Sequence, residues 1–143
     1  MEYTLEYDKL RKFLLMGNCD FVIKNNRNEH RINFLIKKDK EKDDIFYIKY
    51  KSHKWTYIGW FKKYHNQLRF KDEFNFYPKE GMITQDDNKY QIFKSFMEII
   101  YIKEKLPNNV SVYYTGRCSK CGRTLTNPDY IKIGIGQWCL ENT

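Results

Sequence analysis

Gly116-Arg117-Cys118-Ser119-Lys120-Cys121-Gly122-Arg123-Thr124-Leu125-Thr126-Asn127-Pro128, followed by Gly134-Ile135-Gly136-Gln137-Trp138-Cys139, falls within the last thirty residues of the chain, Tyr114 to Thr143. Three of the four cysteines sit in this stretch. A Cys-x-x-Cys followed at once by glycine has the shape of a zinc knuckle. The tight turn lets two thiolates converge on one ion, and Gly122 supplies the positive φ that the turn needs. Cys139 returns after seventeen intervening residues, close to the spacing at which a zinc ribbon brings back its second ligand pair. Only one cysteine returns, so a tetrahedral site needs a further ligand from outside the stretch. A redox pair would instead open a helix after a strand in a βαβ pattern, and no such pattern surrounds Cys118 and Cys121.

Working outward, the chain before this motif reads as alternating strands framed by helices. Tyr7, Leu10, Phe13 and Leu14 follow the i, i+3, i+4 rule within a helix over 4–16, with Thr4 as its cap and Gly17 as its stop. Cys19 to Lys24 and Arg31 to Lys37 form a hairpin about the turn Asn25-Asn26-Arg27-Asn28. The charged run Lys37 to Asp44 reads as a solvated loop. Ile45 to Lys51 alternates, placing Ile45, Tyr47 and Lys49 on one face and Phe46, Ile48 and Tyr50 on the other. Trp55 to Phe61 and Gln67 to Lys71 continue the meander, and 72–88 reads as irregular. A second helix spans 89–105 with a broad apolar stripe from Ile92 to Tyr101. Val110 to Tyr114 is the last strand. The expected fold is α+β: one antiparallel sheet of five to six strands, packed by two helices over residues 1–113. The knuckle or ribbon of 114–143 docks on it as one structural unit.

At 143 residues the chain fits a single domain with a core of its own. An aromatic content of 17% excludes global disorder and makes that core rich in rings. No run of apolar residues is long enough for a transmembrane helix, and the acidic start lacks the apolar centre of a signal peptide. A cytoplasmic location follows as an expectation, with metal favoured over disulfide for the thiols.

The net charge of +8 points to an acidic partner, and its placement says more than its sum. Ile45 to Lys71 carries seven cations, Lys49, Lys51, Lys54, Lys62, Lys63, Arg69 and Lys71, with no Asp or Glu and nine interleaved aromatics. Cations take phosphates and flat rings stack bases, so the stretch fits single-stranded nucleic acid, with Trp55 and Tyr57 as the exposed rings. The alternation puts Trp60 with Ile58 on the buried face. Arg117, Lys120 and Arg123 add charge around the metal turn, and Trp138 reads as a lid packed on that turn. The bland alternative is a solubilising wet face over an aromatic core.

The C-terminal string, together with Ile131 and the Gly134-Ile135-Gly136 run before Cys139, resembles the DUF6011 zinc-ribbon family met in bacteriophage proteins. Leu14-Leu15-Met16-Gly17-Asn18 and Trp55-Thr56-Tyr57-Ile58-Gly59 are similar to the upstream half of such proteins. The resemblance implies a zinc site and a phage origin, hence a host cytoplasm, but no reaction. The family often has histidine, a natural fourth ligand, where Tyr114 stands here. Cys19 is the candidate in this chain with the right chemistry for that place, and His30, His53 and His65 are the others.

Catalysis leaves little trace. No Gly-x-Ser-x-Gly, P-loop, Gly-x-Gly-x-x-Gly or His-Glu-x-x-His occurs. A zinc deaminase needs a His-x-Glu ahead of Pro-Cys-x-x-Cys, which is missing. The sequence therefore points to a non-enzymatic zinc protein that binds nucleic acid through its basic aromatic sheet. The competing class is a phage anti-defence inhibitor that occupies the groove of a host nucleic-acid-binding protein.

Overall fold

The computed structural model describes residues 2–63, the backbone of 74–77, and residues 88–142. Among these, seven strands form one antiparallel sheet in the order β1-β7-β2-β3-β4-β5-β6. They are β1 (Tyr3–Thr4), β2 (Asn18–Asn25), β3 (Arg31–Lys38), β4 (Ile45–Lys51), β5 (Trp55–Lys63), β6 (Phe74–Tyr77) and β7 (Val110–Tyr114). The helices are α1 (Tyr7–Leu14), α2 (Asn88–Tyr101), α3 (Pro128–Ile131) and α4 (Gln137–Glu141). The α+β class expected from the sequence is the class observed.

β2 and β3 pair as the expected hairpin, with Phe21 opposite Phe34 and Cys19 opposite Ile36. Its turn is held by Asn side chains, Arg27 N donating to Asn25 Oδ1 and His30 N to Asn28 Oδ1. Period-2 alternation then sends Cys19, Phe21, Phe34, Ile36, Phe46 and Ile48 to one face, where Ile58 and Phe61 of β5 join them, and all are buried. α1 and α2 cover that face. Leu10, Phe13 and Leu14 of α1 are fully buried, and Asp8 in its first turn with Arg11 and Lys12 in its last suits the helix dipole. Phe93 and Phe96 of α2 meet Phe34 and Phe21 at ring separations of 5.3 and 5.9 Å. Tyr101 Oη donates to Arg11 O at 2.5 Å, tying the two helices together.

Several boundaries move. Thr4 does not cap α1. It belongs to β1, where Tyr3 and Thr4 pair with Tyr114 and Tyr113 of β7, so the helix starts at Tyr7 with Glu6 as its N-cap. β3 keeps Lys37 and runs one residue further, to Lys38, into the stretch read as loop. Phe74–Tyr77 is a strand paired with β5, within the stretch read as irregular. α2 ends at Tyr101, four residues earlier than read. The strand expected over 67–71 lies outside the described residues.

One irregularity matters for function. The β4–β5 register shifts between Ile48 and Lys49, a β-bulge that spends Ile58 as the extra residue. Tyr57 therefore pairs with Lys49, but Trp60 pairs with Tyr47, on the same face as Tyr57. The expectation that Trp60 is buried is corrected: the bulge flips the parity, Phe61 takes the core position, and Trp60 stands half-buried on the face without helices.

The C-terminal motif docks through α1. Gly134 has φ +77, and a Cβ placed there would stand 2.3 Å from Cδ1 of Phe13, whose own ring packs 5.2 Å from that of Tyr114. Both the backbone and the close approach require glycine. Gly134→Ala is expected to cost about 2–4 kcal/mol, from αL strain plus overpacking against a buried ring. Denaturant unfolding would show it as a lowered midpoint at unchanged m-value, and a shift under about 0.5 kcal/mol would contradict this seam.

Candidate metal centre

β7 delivers the chain into the Cys118 turn. Cys118 N donates to Arg123 O and Gly122 N donates back to Cys118 O, each at 2.9 Å, and Gly122 takes φ +79. Arg117 and Thr124 form an isolated bridge that closes the knuckle. Beyond it the chain is helical rather than a second ribbon turn. Asn127 caps α3 by accepting from Asp129 N at 2.9 Å, and Pro128 sits at the first helical positions. α4 follows Gly136 and carries Cys139. Asn18 N donates to Ser119 O at 2.8 Å, and the Tyr114 hydroxyl donates to Ile131 O, so sheet and motif share hydrogen bonds.

This folding brings the sulfurs of Cys118, Cys121 and Cys139 within 4.8 Å of one another. An ion with tetrahedral metal–sulfur bonds of about 2.3 Å spaces its sulfurs by about 3.8 Å, so the group can hold a metal ion with little adjustment. Electrostatics support this. Burial works against a Cys118 thiolate, but backbone N–H groups of Cys121, Gly136 and Lys120 outweigh it and bring the thiol down to about 7. Gly136 N and Lys120 N stand 3.3 and 3.4 Å from its sulfur. Cys139 goes the other way, to about 11, through burial first and then hydrogen bonding to Cys121 and Cys118. Three crowded sulfurs cannot all ionise without a cation among them.

Cys19 is not in the group. It pairs with Ile36, its side chain is fully buried in the main core, and burial, with Asp20 beside it, raises its thiol well above the usual value. The expected fourth ligand is thus a small core hydrophobe, because the parity of β2 turns residue 19 toward the helices while Asn18 meets the knuckle. His30 and His53 do not join the sulfurs either, and His65 lies outside the described residues. The Tyr114 hydroxyl is engaged by Ile131, and burial, then Tyr3 and Cys118, push it to about 12.

The face of the sheet left uncovered by helices collects several of the candidate binding residues. Lys49 and Lys51 of β4 stand opposite Tyr57 and Trp55 of β5, with Tyr47 opposite Trp60 and Ile45 opposite Lys62. Lys51 Nζ lies 5.7 Å from the centre of the Trp55 ring, and the Tyr47 and Tyr57 rings are 6.0 Å apart. Lys54 is exposed in the β4–β5 turn. Arg117 reaches this face from the knuckle: its charge and that of Lys51 both act on Asp20, countering the burial that raises that carboxyl. Two candidates sit elsewhere. Lys63 pairs opposite Phe74 on the other parity, where burial lowers its pKa, and Lys120 reaches toward Asn142 O at 3.5 Å. Lys62 is bridged to Asp44 at 3.6 Å. Arg69 lies outside the described residues.

Arg123 lines a cleft of about 610 Å³ together with Cys118, Cys121 and Cys139. Trp138, read as a lid, stands at the rim of this cleft 70% exposed. Sequence reasoning missed Tyr47 and Gly136. The first was visible in the β4 alternation; the second had a signal in the spacing Gly136-x-x-Cys139.

No family model, curated protein or solved structure matches the chain. Among the described residues no helix is long and apolar enough to cross a membrane.

Metal analysis of purified protein is expected to give close to one ion per chain. Cys121→Ser should lose it, whereas Cys19→Ser should keep it, at a stability cost only. Retention by Cys121→Ser would contradict the centre. Burial and the neighbouring thiols favour the protonated form of Cys139, so metal uptake is expected to release a proton. Apparent affinity should therefore rise as pH increases through the neutral range. Competition titrations with a chelator measure this; a flat profile would contradict it.

Proposed function

We propose that the protein is a non-enzymatic, zinc-anchored module of the cytoplasm that binds single-stranded nucleic acid on the open face of its sheet. In line with the phage zinc ribbons it resembles, we read it as phage-encoded. The observation that carries the reading is sidedness. The helices take one face, and the other presents Lys49 and Lys51 with Tyr47, Trp55, Tyr57 and Trp60 side by side. Phosphates bind the cations and bases stack on rings that lie half-open to solvent. Zinc suits three cysteines, being borderline-soft and tolerant of tetrahedral geometry. Its part is structural, holding the knuckle so that Arg117 extends the basic face.

Fluorescence anisotropy with a labelled single-stranded oligonucleotide tests this. Log affinity should fall linearly with log salt, and Lys49→Glu with Lys51→Glu should weaken binding by about tenfold or more while flattening that slope. Trp55→Ala should cost about 1–3 kcal/mol of binding while the protein stays folded. Absence of salt-dependent binding to DNA and RNA alike would overturn the reading and leave a protein partner as the alternative.

A further inference from the structure

We propose that the metal at Cys118, Cys121 and Cys139 keeps its fourth coordination position toward the cleft at Gly136, and that this position takes the thiolate of a small exogenous thiol. The inference rests on the metal-centre reading above and adds a ligand site to it.

Cys118, Cys121 and Cys139 all line the cleft, and Cys121 is exposed. Among the described residues no further Cys, His, Asp or Glu joins them. Gly136 explains the opening. The segment Gly136-Gln137-Trp138-Cys139 has Cys-x-x-Cys spacing with glycine in the first place. Its backbone, at φ −69 and ψ 156, is one that any residue adopts, so conformation does not demand glycine. Space does not demand it either. A Cβ there would meet Leu125 Cδ2 at 3.4 Å and the Cys118 sulfur at 3.9 Å, both ordinary contacts. What glycine does is remove a side chain from beside the sulfurs, where a fourth ligand would project.

The remaining lining states the ligand's chemistry. Arg123 offers positive charge for an anionic donor, while Leu125 and the exposed Trp138 ring offer apolar surface for a short carbon chain. A thiolate completes the four-sulfur set that zinc commonly adopts. On binding, the thiol gives its proton to solvent and its sulfur forms the new metal bond, displacing solvent. No electrons change hands.

Cobalt(II)-loaded protein, prepared without thiol, tests this by absorption spectroscopy with 2-mercaptoethanol as the probe. The sulfur-to-cobalt band should grow and the d–d bands move along a saturating one-site curve, with the metal retained. Gly136→Cys should show the four-thiolate spectrum unaided and not respond to the probe. A wild-type cobalt spectrum that ignores the thiol, already shows four sulfurs, or simply loses its metal would overturn the inference while leaving the metal centre standing. Failure to bind cobalt at all would overturn both. If Gly136→Cys does not fold, the wild-type titration alone decides.

Discussion

Three sulfurs held within 4.8 Å of one another cannot share that space as thiolates unless a cation sits among them. That constraint organises the C-terminal motif. Its own apolar cluster is small, with Met16, Cys118, Ile135 and Cys139 buried and Leu125, Ile133 and Leu140 packed against them. α3 and α4 are single turns that contribute little by themselves. A metal ion held by the three sulfurs would supply the missing cohesion, and the contacts of Asn18 with Ser119, Tyr114 with Ile131 and Gly134 with Phe13 would carry it to the sheet and α1. Backbone N–H groups pull Cys118 toward its thiolate, while burial and the neighbouring thiols hold Cys139 toward its thiol.

The sheet depends on a different economy. Helices α1 and α2 pack on one face, so among the described residues the alternate positions of β2 to β5 face away from them on the other. On β4 and β5 the chain places lysines and rings there in cross-strand pairs. The bulge at Ile48/Lys49 enlarges that surface by bringing Trp60 round beside Tyr47 while Ile58 and Phe61 stay in the core. An extra residue in one strand therefore serves both faces at once.

The sequence made the two largest features legible for physical reasons. Cysteine spacing reports metal geometry directly, and period-2 alternation reports which side of β4 is wet. What it hid depends on distant partners or on a single inserted residue. β1 has only Tyr3 and Thr4, too short to alternate, and it exists because β7 arrives beside it. Trp60 was misplaced since parity cannot reveal a bulge. Cys19 had the right chemistry but the wrong side of its strand. Trp138 sits next to a ligand in sequence, yet the turn of α4 that buries Cys139 leaves the indole outside. The coordination set was half-legible: one returning cysteine announced three sulfurs, while the approach of the Gly136 backbone to the Cys118 sulfur needed the structure.

Zinc K-edge X-ray absorption on protein purified without added thiol tests the account most directly, because it counts the donors around the ion. The account predicts one zinc per chain with three sulfur neighbours at about 2.3 Å and one lighter neighbour at about 2.0 Å. Four sulfurs in protein that mass spectrometry shows to carry no bound thiol would mean that Cys19 leaves the core to join the site, and zinc-free folded protein would mean that the three cysteines converge for some other reason; either result contradicts the account.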